Sequence, residues 1–102
     1  MSESSEDQRV APAERTVVLG RHLHARPAGQ VAQLAAKHQT TAIELVAGDR
    51  NANARSVLAV MSLGAVKGDQ VKVIVSGLSS DGDPDEVADA IVEILHSPDN
   101  GE

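Results

Sequence analysis

At 102 residues the chain can bury one modest hydrophobic core but not two, which points to one domain and one site. It contains no Cys, Phe, Trp or Tyr. That excludes disulfides, thiolate nucleophiles and cysteine-held metal clusters, and it leaves Val, Ile, Leu, Ala and Met to build the core. A formal net charge of −6 argues against nucleic-acid binding through phosphate neutralisation.

Residues 1–13 are rich in Ser, Glu, Asp and Pro with almost no periodic apolar positions, and they read as a disordered leader. The N-terminus lacks the basic start and greasy centre of an export signal, and no apolar run approaches the roughly 20 residues a bilayer requires. A cytoplasmic protein without membrane insertion is expected. Residues 16–19 (Thr-Val-Val-Leu) form a short expected strand ending at Gly20. From Ala25 the apolar residues Ala28, Val31, Ala32, Leu34 and Ala35 fall at helical spacing, predicting a helix to about Lys37 with Pro27 in its first turn.

Residues 40–46 alternate Ile43 and Leu45 against Glu44, turn at 47–49 and return over 50–54, a β-hairpin. Ser56 then precedes a short apolar helix over 57–63, closed by Gly64. A turn at 67–69 leads into residues 71–75 (Val-Lys-Val-Ile-Val), the strongest strand pattern in the chain. An acidic cap opens the final helix, whose Val87, Ile91, Ile94 and Leu95 share one face up to His96. Residues 97–102 read as a flexible tail, so residues 14–96 make up the domain. The order β-α-β-β-α-β-α packs most simply as an α+β, two-layer, open-faced β-sandwich. In that fold a four-stranded, mostly antiparallel sheet is covered on one face by three helices.

The stretch Leu23-His24-Ala25-Arg26-Pro27 sets a titratable ring at the start of the first helix. The first amides of a helix lack intrahelical partners, and its dipole leaves partial positive charge at that end, so an anion there is stabilised. The same field disfavours an imidazolium and keeps the ring's lone pair available. A phosphoryl group on His24 would meet the amides of Ala25 and Arg26, and the Arg26 guanidinium would offset charge in a loose transition state. The cations Arg21, Arg26, Arg55 and Lys67 come from segments that a fold of this kind can bring together as a basic face.

Two separated stretches resemble one family. His22-Leu23-His24-Ala25-Arg26-Pro27-Ala28 is similar to the G-L-H-A-R-P-A segment of HPr, the histidine-containing phosphocarrier of the bacterial phosphoenolpyruvate-dependent sugar phosphotransferase system. Asn53-Ala54-Arg55-Ser56-Val57-Leu58-Ala59-Val60-Met61-Ser62-Leu63-Gly64 resembles the family's N-A-K-S-[IV]-x-x-x-M-S-L-G segment. The likeness covers roughly residues 14–95. It implies that His24 takes a phosphoryl group on Nδ1 from phosphorylated enzyme I and passes it to a histidine of a sugar-specific enzyme IIA, with Arg26 assisting.

By the same resemblance Ser56 matches a serine acted on by a dedicated kinase and phosphatase, and Val57, Leu58, Ala59 and Met61 match an apolar docking surface. The expected protein is a monomeric phosphocarrier, not an enzyme, and it needs no cofactor. Two alternatives share the fold: a regulatory interaction protein switched at Ser56, and a carrier of the nitrogen-related branch. The chain departs from the pattern at His22, where the family has glycine, and at Arg55, where lysine is common.

Three other signals lead to simpler readings. His22 and His24 would point the same way on an extended segment, a spacing suited to zinc, but no third ligand lies nearby. Asp81, Asp83 and Asp85 mimic the start of a calcium loop, yet Glu86 stands where its glycine belongs, and the stretch reads as a helix cap. The Ser56 hydroxyl also fits an N-cap worth about 1 kcal/mol.

Overall fold

The computed structural model describes residues 12–38, 41–77 and 83–98. The elements are β1 (Ala13–Val18), α1 (Ala25–Ala36), β2 (Ala42–Ala47), β3 (Arg50–Asn53), α2 (Val57–Met61), β4 (Gln70–Ser76) and α3 (Pro84–His96). The strands form one sheet in the order β1-β4-β2-β3, and every pairing is antiparallel. The fold is the expected α+β two-layer sandwich, with the sheet wholly rather than mostly antiparallel.

β4 is central because its β-branched residues alternate cleanly. Val71, Val73 and Val75 are buried, while Gln70 and Lys72 face water from the opposite side. Leu45 and Ile43 of β2 and Val17 of β1 join them on the covered face. Onto that face α1 lays Ala28, Val31 and Ala35, and α3 lays Val87, Ala88, Ile91 and Leu95, all buried at helical spacing. With no Phe, Tyr or Trp to fill space, small residues such as Ala28, Ala35 and Ala88 are buried where the helices cover the sheet.

Several boundaries moved. β1 begins at Ala13 rather than residue 16, because Arg15, on the inward side of the strand, has partners. Its guanidinium donates to Asp89 at 3.0 Å and to Asp85 at 3.1 Å, both on α3. Those hydrogen bonds, the one to Asp89 foremost, raise its pKa above the usual arginine value. α2 stops at Met61, two residues early, and Gly64 follows at φ 68, a left-handed backbone that suits glycine. Residues 1–11 of the expected leader, Thr40, Asp81 of the calcium-like stretch and residues 99–102 lie outside the described residues. Among the described residues no helix is long and apolar enough to cross a membrane.

One end of the sandwich gathers four chain segments. The Leu19 amide donates to the Asp69 carbonyl at 2.9 Å, that of Gly20 to Leu95 at 3.0 Å, and that of Leu23 to Ala65 at 3.1 Å. The end of β1, the start of α1, the α2–β4 connection and the end of α3 therefore meet here. Gly20 is required by closeness: a Cβ on it would lie 1.9 Å from the His96 carbonyl oxygen.

Candidate functional site

His24 is the N-cap of α1, extended at φ −84 and ψ −171, and its side chain makes no capping hydrogen bond. It is exposed. The Ala28 amide closes the first helical turn on the His24 carbonyl at 3.0 Å. Within that turn Pro27 brings no N–H, and the amides of Ala25 and Arg26 find no acceptor in the cap side chain. No acidic residue sits in the first turn to occupy the electropositive end. The expected ring at the helix mouth is therefore present, open to water and unused by the helix itself.

The backbone holds it tightly. The His24 amide donates back to the His22 carbonyl at 2.9 Å, a three-residue turn centred on the buried Leu23. That turn throws both histidine rings to the same side, where they stack with centroids 5.3 Å apart and planes inclined by 25°. Among the described residues there is no group of three or more His, Cys, Asp or Glu that could hold a metal ion.

Arg26 lies on another side of the helix start. It is exposed and lines a cavity of about 590 Å³ between α1 and α3, together with Arg21, Gln30 and Glu93. Arg21 donates to Gln30 at 2.7 Å and to the Ile94 carbonyl at 3.0 Å, placing a cation against the negative end of α3. Lys67 comes in from the other flank, its amide donating to His22 Nδ1 at 3.1 Å. Arg55 does not join them, which corrects the expectation of one basic face. Its guanidinium donates to the His38 and Thr41 carbonyls, just beyond the far end of α1. The 12 residues of α1 put that end roughly 18 Å from its start.

Ser56 caps α2, its exposed hydroxyl accepting from the Ala59 amide at 3.1 Å. Because Arg55 reaches the far end of α1 and Ala65 reaches Leu23, α2 runs back toward the His24 end. Of the residues expected to dock partners, Leu58 is 76% exposed and Met61 38% exposed. Val57 and Ala59 are half-buried against the core, and Val60 is fully buried. Sequence reasoning missed Val66, which is 44% exposed and adjoins the Lys67 amide that holds His22. Its one signal was an apolar residue beside a turn where a polar one is usual.

The chain matches the family model described as "PTS HPr component phosphorylation site" over residues 13–97, and it belongs to that family of phosphotransferase-system phosphocarriers. Among solved structures it is similar to the phosphocarrier protein HPr of Bacillus anthracis str. Ames. The two are 24% identical, with a TM-score of 0.73, and the match covers 85% of this chain and all of that one. It also resembles the histidine-containing phosphocarrier protein of a Mycoplasma (26% identity, TM-score 0.70, 81% of this chain and 91% of that one). A third likeness is to HPr-C-His of Thermoanaerobacter tengcongensis (28% identity, TM-score 0.59, 84% and 91% covered).

Proposed function

We propose that the chain is a phosphocarrier that takes a phosphoryl group on His24 Nδ1 from phosphorylated enzyme I and passes it to a histidine of an enzyme IIA. The observation that carries this reading is the exposed His24 ring, which caps α1 without spending its nitrogens on the helix. In the forward step the Nδ1 lone pair attacks phosphorus. The N–P bond forms as the bond to the donor's leaving atom breaks, and the return step reverses this on the acceptor histidine. The helix mouth stabilises the added negative charge by about 0.3–1 kcal/mol, enough to tune the transfer and too little to trap it. Arg26, two residues on, swings its long side chain from the α1–α3 cavity to offset transition-state charge.

Partners dock on the exposed Leu58 and Met61, which α2 carries toward the reactive end. Incubation with phosphoenolpyruvate and enzyme I is expected to give an acid-labile, base-stable adduct on the chain. His24→Ala removes it; label that survives this substitution sinks the reading.

A second role, at Ser56, is supported by its exposed hydroxyl at the start of the docking helix. Phosphorylation by a serine kinase would place close to two negative charges beside Leu58. Ser56→Asp should then weaken transfer from enzyme I. An unchanged rate and unchanged partner affinity would leave Ser56 as a cap alone.

A further inference from the structure

His22 stands where the family pattern has glycine, and its ring is more firmly placed than an exposed side chain needs to be. The placement begins at the turn over 66–69. The Asp69 carboxylate accepts from the Val66 amide at 2.9 Å, while the Asp69 amide donates to the Val66 carbonyl at 2.9 Å. The Gly68 amide donates to the Leu19 carbonyl at 2.9 Å, and the Asp69 carbonyl accepts in return from Leu19, so the turn is fastened to the end of β1. From this fixed turn the Lys67 amide reaches His22 Nδ1 at 3.1 Å. Leu23, between the two histidines, is buried and bonded to Ala65 at 3.1 Å.

That hydrogen bond decides what the His22 ring can do. A backbone N–H only donates, so Nδ1 must offer its lone pair, and the neutral ring carries its proton on Nε2. While that bond holds, one nitrogen is engaged and the other is protonated, so His22 is the poorer phosphoryl acceptor of the two rings in spite of its exposure. What remains is its flat face, against which the His24 ring stacks.

We propose that His22 is a positioning residue: anchored by the Lys67 amide, its ring holds the His24 imidazole in one orientation at the mouth of α1. The inference rests on His24 as the phosphoryl acceptor. An exposed cap side chain without a hydrogen bond of its own samples several staggered rotamers, and only some of them aim Nδ1 at an incoming phosphorus. A stacking partner fixed to the fold removes that freedom before the donor arrives. The expected gain is in the rate of transfer rather than in the affinity for enzyme I.

Three substitutions separate the parts. His22→Gly removes the ring, His22→Asn keeps an acceptor near the Nδ1 position without a ring, and His22→Phe keeps a stacking face without the acceptor. In single-turnover transfer from phosphorylated enzyme I, His22→Gly and His22→Asn should slow the limiting transfer rate about five- to tenfold, with the half-saturating concentration (the KM of this step) changed less than about twofold. His22→Phe should recover at least half of that loss. On the unsubstituted chain, ¹⁵N NMR of the His22 ring should show the proton on Nε2.

Transfer by His22→Gly at the original rate overturns the inference, as does a His22 proton found on Nδ1. A loss carried by KM alone also overturns it, since that marks a docking contact. If the unsubstituted chain takes no label, the acceptor reading has failed and this one falls with it; normal labelling that ignores residue 22 overturns this one alone.

Discussion

The first two helices begin in opposite ways. At α2 the cap residue Ser56 turns its hydroxyl inward and satisfies the Ala59 amide at 3.1 Å. At α1 the cap residue His24 gives its helix a backbone carbonyl and nothing from its side chain. The α3 cap follows the Ser56 pattern, with Asp83 accepting from the Asp85 amide at 3.0 Å. A helix start that closes its own hydrogen bonds serves stability, whereas one that leaves them open keeps an electropositive mouth for something from outside. The contrast is one of geometry: the caps of α2 and α3 close their helix starts, and the cap of α1 leaves its start open.

Substitutions can break that contrast or sharpen it. The largest expected effect is at His24: His24→Ala should abolish phosphoenolpyruvate-dependent labelling while leaving the urea midpoint almost unchanged, because no capping bond is lost. A clear drop in that midpoint would show His24 to be structural after all. Next, Arg26→Ala should slow transfer from enzyme I about a hundredfold, the scale of removing one charged group from a transition state. Stopped-flow or quench measurements at saturating enzyme I would register it, and a loss below threefold would exclude the guanidinium from the reaction.

Gly20→Ala tests whether the α1 mouth depends on its surroundings. The new Cβ would meet the His96 carbonyl and force the end of α3 away, costing about 2 kcal/mol by chemical denaturation. Transfer should fall as well, since Gly20 joins α3 to the segment that leads to His24. Smallest is Ser56→Ala, which should cost about 1 kcal/mol and leave His24 labelling intact, whereas Ser56→Gly should cost only a few tenths. Equal stability of the Ala and Gly variants would contradict the capping role.

Much of this was legible in the chain because it was written locally. α3 announced itself through Val87, Ile91 and Leu95 at helical spacing behind an acidic cap, and all three are buried. β4 did so through three alternating valines. His24 stood out for its place before an alanine-rich run and for its match to a family segment. What stayed hidden depends on distant partners. The first half of β1 carries no strand pattern of its own because Glu14 and Arg15 are charged, and only Asp85 and Asp89, seventy or more residues on, make Arg15 acceptable on the inward side. Arg55 sides with the far end of α1 through two carbonyls that no spacing rule foretells. The His22–Lys67 bond joins residues 45 positions apart, and no local pattern encodes it.

The stacked histidines have a practical consequence. The four imidazoles are the only aromatic side chains in the molecule. In D2O, once the N–H protons have exchanged, their carbon-bound ring protons stand alone in the aromatic stretch of the proton NMR spectrum, and two of those rings are stacked. Loading and unloading of the carrier become visible in an unlabelled sample, in real time, with the reactive group acting as its own reporter.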